Sequence, residues 1–200
     1  MEGKIFNQPP KQEELPKIEI SLAIPEDVFG MRELEYKTWM ATYPGEESGI
    51  TTNDIEWYFK EFKKSFSPSN LEKTASEIEN LPTSQKVLVA KNEDGEMVGF
   101  SWLMRGNDVN ELGSIYIDPK VQGVGLGTKI YEEAKNFFDK NKDVFLTVEE
   151  HNSKAIGFYK KLGFEEVGKR AGNLSFPSGA KFNEIEMLNR ANLAEEEQVL

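Results

Sequence analysis

A helix bracketed by two strand-like runs is the feature that most narrows the folds open to this chain. The runs are "ELGSIYID" (111–118) and "DVFLTVEE" (143–150), and between them residues 125–140 carry Leu126, Ile130, Ala134, Phe137 and Phe138 on one apolar stripe. A crossover of this length brings the chain back in its original direction, so the two strands are expected to be parallel members of one sheet. The helix is entered through "DPKVQGVGLG", in which Gly123, Gly125 and Gly127 fall within five residues. A plain turn needs one or two glycines. Three at a helix entrance suit the close approach of an anion to free N–H groups at the positive end of the helix dipole.

The rest of the chain supplies more strands and helices around this unit. "KIEISLAI" (17–24) alternates as a strand does, and residues 25–43 start at Pro25 and place Val28, Met31, Leu34, Trp39 and Met40 at roughly helical spacing. A second helical stretch follows Thr51, and residues 69–81 read as another. The run "KVLVAKNEDGEMVGFSWLMRG" (86–106) reads as a hairpin turning at Asn92–Gly95. Past residue 150, "NSKAIGFYKKLG" is a short helix with Asn152 as N-cap and Gly163 just beyond its end. Two strands, "FEEVGKR" and "KFNEIEML", close the pattern. Residues 1–17, with three prolines among polar residues, read as a flexible leader, and 191–200 as a polar tail.

Composition removes several functions. There is no cysteine and one histidine, His151, so disulfides, thiolate metal sites, a cysteine nucleophile and a histidine-rich metal centre are out, and no metal is expected. A formal charge of −11 without a Lys/Arg cluster disfavours nucleic acid. No apolar run approaches the ~20 residues of a membrane span, and none has signal-peptide character, so the reading is cytoplasmic with no membrane partner.

The glycines fit neither familiar nucleotide loop. A dinucleotide fingerprint needs G-x-G-x-x-G, whereas Gly127 comes one residue too soon, and a P-loop needs a Gly-Lys-Ser/Thr ending where Thr128 and Lys129 follow. "QGVGLG" (122–127) instead resembles the Q/R-x-x-G-x-G/A signature of the GNAT superfamily of acyl-CoA-dependent N-acetyltransferases. Downstream, Asn152, Ala155, Phe158, Tyr159, Gly163 and Phe164 resemble that family's N-x-x-A-x-x-F-Y-x-x-x-G-F motif. Gln122 stands where arginine is frequent, although glutamine also occurs there. The likeness covers about 18–190. It implies an α/β fold with a central mixed, twisted sheet of six to seven strands, helices on both faces, and a splayed parallel pair forming an acetyl-CoA cleft.

What the resemblance implies for the site can be stated residue by residue. The pantetheine arm pairs with the backbone of Ile115, Tyr116 and Ile117, and the pyrophosphate meets the amides along Gln122, Gly123, Val124, Gly125, Leu126, Gly127 and Thr128, with Asn152 also on the cofactor. Tyr159 protonates the leaving thiolate. Glu111, taken by the period of two to share a face with Ile115, is the candidate base, with Glu149, Glu150 or water as rivals. His151 reads as a polar loop residue. Trp39 and Tyr43 wall the acceptor site, and Glu46 and Glu47 attract a cation. The expected reaction is acetylation of a primary amine, such as a polyamine or other small cation. A silent acyl-CoA sensor, and acetylation of a protein lysine or N-terminus, stand as alternatives, and a homodimer is left open.

Overall fold

The structure, a computed structural model, describes residues 17–172 and 174–191. The leader at 1–16 and the tail from 192 lie outside the described residues. Seven strands form one sheet: β1 (Glu19–Leu22), β2 (Gln85–Lys91), β3 (Met97–Arg105), β4 (Asn110–Ile117), β5 (Val144–Glu149), β6 (Glu165–Arg170) and β7 (Glu184–Asn189), in the order β1-β2-β3-β4-β5-β7-β6. All neighbours are antiparallel except β4 and β5.

Helices α1 (Val28–Thr42) and α3 (Pro68–Glu79) cover one face. Val28, Met31, Leu34 and Ile78 pack there on Val87, Val89 and Phe100. Helices α4 (Leu126–Phe137) and α5 (Ser153–Lys161) cover the other, where Ala134, Phe137, Tyr159 and Phe164 meet Leu103, Leu112, Leu146 and Met187. The stripe expected on α4 is buried throughout, and burying each of its leucine, isoleucine and phenylalanine side chains contributes roughly 1.5–3 kcal/mol.

Local signals set the element ends. Thr51 and Asp54 form a reciprocal capping box at α2 (Thr52–Trp57), which continues as a π-helical turn, Tyr58–Phe62. The second Asp54 oxygen accepts from the Ser178 amide at 3.0 Å, tying that helix to the β6–β7 connection. In the β2–β3 turn the Asn92 Oδ1 accepts from the amides of Asp94 and Glu96.

Candidate active site

β4 and β5 share only two register pairs, Asn110 with Val144 and Glu111 with Phe145. Past that point β4 follows β3 to Ile117 and β5 follows β7 to Glu149, so the parallel strands part and leave a wedge. Asn110 clamps its closed end. Fully buried, its amide donates to the carbonyls of Asp139 (2.8 Å) and Lys142 (3.0 Å), and its Oδ1 accepts from the Asp139 amide (3.0 Å). Along the wedge, the backbone groups of Ile115, Tyr116 and Ile117 that point away from β3 have no strand partner among the described residues, which is the edge an extended ligand can pair with.

The expected placement of Glu111 on the face of Ile115 is overturned by a β-bulge. Trp102 pairs with Ser114 but Leu103 pairs with Leu112, so Gly113 is an extra residue and the alternation shifts by one. Glu111 therefore shares a face with Ser114 and Tyr116, the side of α1 and α3, while Ile115 packs on the side of α4 and α5. The half-buried Glu111 carboxylate accepts no hydrogen bond among the described residues.

At the other end of β4 the chain turns through Gly123 (φ 83°) and Gly125 (φ 86°), both left-handed, and Gly125 caps α4 without a side chain. The amides of Leu126, Gly127 and Thr128 begin the helix and have no partner inside it. A Cβ built on Gly123 or Gly125 meets nothing within 4 Å, so the space in front of the turn is open. Gly127 has a different reason to be glycine, since its Cβ would press on the Phe158 ring. The Gln122 side chain braces the turn by donating to the Ile117 carbonyl at 3.2 Å, and Val124 packs beside Leu126.

Tyr159 packs against Phe158 and Phe164, and burial holds its hydroxyl well above the ordinary tyrosine range. Among the described residues, Arg32 Nε is the one fully enclosed side-chain nitrogen or oxygen with no partner. The Tyr159 hydroxyl, which makes no hydrogen bond there either, is therefore not sealed. Asn152 caps α5, its Oδ1 accepting from the Ala155 amide at 3.1 Å. The Tyr43 hydroxyl is also pushed well up, by burial first and then by Glu149 and Tyr159, with the Asn152 side chain opposing. One neighbourhood thus joins the C-terminus of α1, the end of β5 and the start of α5.

The rival carboxylates are engaged. Glu149 is 2% exposed and gives both oxygens to His151, one to its amide (2.9 Å) and one to ring Nδ1 (2.8 Å), while Glu150 accepts from Asn183 at 2.6 Å. His151, expected as a bare loop residue, thus has a fixed partner. Trp39 is packed between Tyr58 and Phe182, with centroids 4.7 and 5.1 Å away, and donates to the Tyr116 hydroxyl at 3.1 Å. Neither it nor Tyr43 borders the two cavities beside Arg32 and Glu35. Two adjoining cavities lie instead farther up α1, against Arg32 and Glu35, residues that the sequence reading passed over. The signal was there: positions 28, 31, 32 and 35 lie on one helical face, so a charged pair sits on the stripe that carries Val28 and Met31.

Comparison with known proteins agrees with this geometry. Residues 53–164 match the model of the acetyltransferase (GNAT) family. The peptidyl-lysine N-acetyltransferase YjaB of Escherichia coli (strain K12) is 38% identical over 81 residues, 40% of this chain and 50% of that protein. A mycothiol acetyltransferase of Saccharomonospora viridis is 34% identical over 90 residues, 40% of this chain and 29% of that one. The chain thus spans half or less of the length of these two relatives. In fold it resembles the PaiA N-acetyltransferase of Thermoplasma acidophilum, solved with coenzyme A, at a TM-score of 0.64 and 24% identity over 87% of this chain and 99% of that one. With more than half of its residues inside the family model and the parting parallel strands that its two motifs led us to expect, the chain belongs to the GNAT family of acetyltransferases.

Proposed function

We propose that this chain moves the acetyl group of acetyl-CoA to a primary amine. One observation carries the reading: the edge of β4 left without a strand partner ends at Ile117 and, after a single 3-10 turn at Pro119–Val121, is followed by the left-handed glycines and the free amides of α4, so strand-type pairing for an extended arm and helix amides for a diphosphate lie in order along the chain. The residues proposed for the cofactor are Ile115–Ile117 and Gln122–Thr128. Asn152, whose Oδ1 serves the α5 cap and whose side chain also faces the Tyr43 hydroxyl, is proposed to touch the same ligand.

The chemistry needs a base and an acid. An amine with a pKa of ~10 arrives as an ammonium and must lose a proton before it attacks the thioester carbonyl carbon. Glu111 is the proposed base, because the bulge turns it to the face of Ser114 and Tyr116 whereas Glu149 and Glu150 are held by other residues. As the C–N bond forms and the C–S bond breaks, Tyr159 gives its proton to the departing sulfur and regains one from the new amide nitrogen. Overall, ammonium and thioester become amide, thiol and one proton. The burial that raises the Tyr159 hydroxyl keeps it protonated, the state in which a proton donor to the sulfur must start. Trp39 and Tyr43 back the acceptor side through Tyr116.

The formal charge of −11 and the exposed Glu46 and Glu47 support an acceptor bearing a cationic amine. A protein lysine is the second reading, favoured by the likeness to the Escherichia coli enzyme. Calorimetry with acetyl-CoA, followed by thiol release on a panel of small amines and a lysine peptide, tests both. Acetyl-CoA binding with turnover of any member is the expected result, and binding without turnover supports a sensor instead.

A further inference from the structure

Two cavities on the α1/α3 face of the sheet share a wall. The inner one, about 290 Å³, lies between α1, α3, β3 and β4. Met31, Phe100 and Trp102 make it apolar, and Gly113 and Ser114 of the bulge border it. The outer one, about 250 Å³, is polar and bordered by Lys63, Asn70, Lys73 and Glu77. Arg32, Glu35 and Thr74 border both. The inner volume is at the small end for small-molecule pockets, which suits a compact acceptor.

The charges in this lining do not follow those of the chain. Three cations, Arg32, Lys63 and Lys73, face two carboxylates, Glu35 and Glu77, on a protein whose formal charge is −11. Arg32 donates through Nη1 to Glu35 at 2.9 Å and through Nη2 to Thr74 at 3.1 Å, leaving Nε enclosed without a partner. The Lys63 ammonium rests 5.9 Å from the ring centres of Tyr58 and Phe62. Net charge acts at long range, but here Arg32 is paired with Glu35 and Lys73 with Glu77 at 3.8 Å, so the lining keeps a surplus of one positive charge at Lys63, against which a polyamine would set a further ammonium. A ligand with one ammonium and one carboxylate matches both signs.

We infer that the double cavity is the acceptor site and that its acceptor is a zwitterionic primary amine with an apolar body, of the class of an apolar α-amino acid. The ammonium is taken by Glu35 on the inner side, within reach of the bulge, the carboxylate by Arg32 and the Lys63 side of the outer cavity, and the apolar body by Met31, Phe100 and Trp102. Burial pushes the Glu35 carboxyl up against the pull of Arg32 and Lys63, so an arriving ammonium adds counter-charge to a carboxylate that its present partners do not fully compensate. The Arg32 side chain is 29% exposed and borders both cavities, so the accessible part of its guanidinium can meet a carboxylate there. This assignment names the acceptor class for the proposed acetyl transfer and rests on that reading only for the reaction, not for the binding.

The test uses the full chain saturated with CoA, titrated by calorimetry with L-leucine, L-leucinamide and spermidine, with thiol release from acetyl-CoA measured in parallel. Leucine should bind at least about tenfold tighter than its amide, as loss of one charge-assisted contact implies, and spermidine more weakly still. The amide has the less basic amine and is the better nucleophile at neutral pH, so chemical bias runs against the expected turnover order. Arg32→Gln should bring leucine and leucinamide within about twofold of each other at unchanged CoA affinity. Lys63→Gln, on an exposed side chain, should shift the ratio the same way by less. Failure of leucine to bind, binding of leucinamide or spermidine as tight as that of leucine, or a ratio that survives Arg32→Gln overturns the inference. Leucine binding without thiol release would leave the site standing and remove the transfer reaction, whereas release with leucinamide and not with leucine would do the reverse.

Discussion

The ring of Phe158 lies across Gly127: a Cβ on that glycine would stand 3.0 Å from Cζ and 3.2 Å from Cε2. Gly125, two residues earlier, has no neighbour within 4 Å of its Cβ position but sits at φ 86°. Alanine should therefore fail at the two positions for different reasons. At Gly125 the cost is backbone strain, roughly 1–2 kcal/mol, and at Gly127 it is the displaced ring. A double-mutant cycle with Phe158→Leu, read by chemical denaturation, should give a coupling of roughly 0.5–3 kcal/mol for Gly127→Ala and close to none for Gly125→Ala. Equal coupling at both positions would refute this division. Gly125→Val should also weaken acetyl-CoA binding, measured by calorimetry.

Tyr159→Phe keeps a ring that packs on Phe158 and Phe164 and removes a hydroxyl that has no hydrogen-bond partner among the described residues. The fold should lose little, and the melting temperature should stay near that of the parent. The effect belongs in kcat, lowered on the order of 10² to 10⁴, with acetyl-CoA affinity unchanged. A large drop in melting temperature would point to a packing role, and undiminished turnover would remove Tyr159 from the reaction.

Asn110→Ala strips the closed end of the wedge of its clamp and leaves the Asp139 amide and the part-buried carbonyls of Asp139 and Lys142 without their side-chain partner. A loss of roughly 1–3 kcal/mol is expected on urea unfolding. Since this end sets how far β4 and β5 part, acetyl-CoA affinity should fall with stability. Intact stability would show that the backbone pairs hold the strands unaided.

Burial works to raise the Asp54 pKa, but the Thr51 hydroxyl, the Thr51 amide and Ser178 outweigh it and hold the carboxyl below its ordinary value. A depressed folded-state pKa contributes stability that is complete above the unfolded value, about 4, and is lost as pH falls through the folded one. Stability should thus decline between about pH 4 and more acid conditions. Asp54→Asn should reduce that slope while lowering stability at pH 7 by about 1 kcal/mol through the weakened cap. Parallel pH profiles for parent and variant would rule the contribution out.

Much of the architecture was legible in the chain because local rules agreed with one another. The period of the Leu126–Phe137 stripe, the capping residues Thr51 and Asn152, the Asn92–Gly95 turn and a helix set between two strands each specify geometry over a few residues, and all point to one sheet with helices on both faces. Gly123 and Gly125 were readable for the same reason, since a left-handed backbone excludes most other residues.

What the sequence could not determine depends on partners distant in the chain. The side of β4 on which Glu111 stands is set by one unpaired residue, Gly113, and strand periodicity gives no sign of it until the register with β3 is known. Even for His151, whose partner Glu149 is two residues away, the pairing depends on the end of β5 being buried so that the carboxylate turns back to the His151 amide and ring. The packing of Trp39 and Tyr43 with Tyr58 and Phe182, and the opening of cavities beside Arg32 and Glu35 where α1 meets α3 and the bulge, likewise depend on elements far apart in the chain. Composition, periodicity and caps act within a few residues and are written in the chain itself. Which face a strand residue takes, which carboxylate stays unengaged and where a cavity remains are properties of packing between elements, and only the tertiary structure decides them.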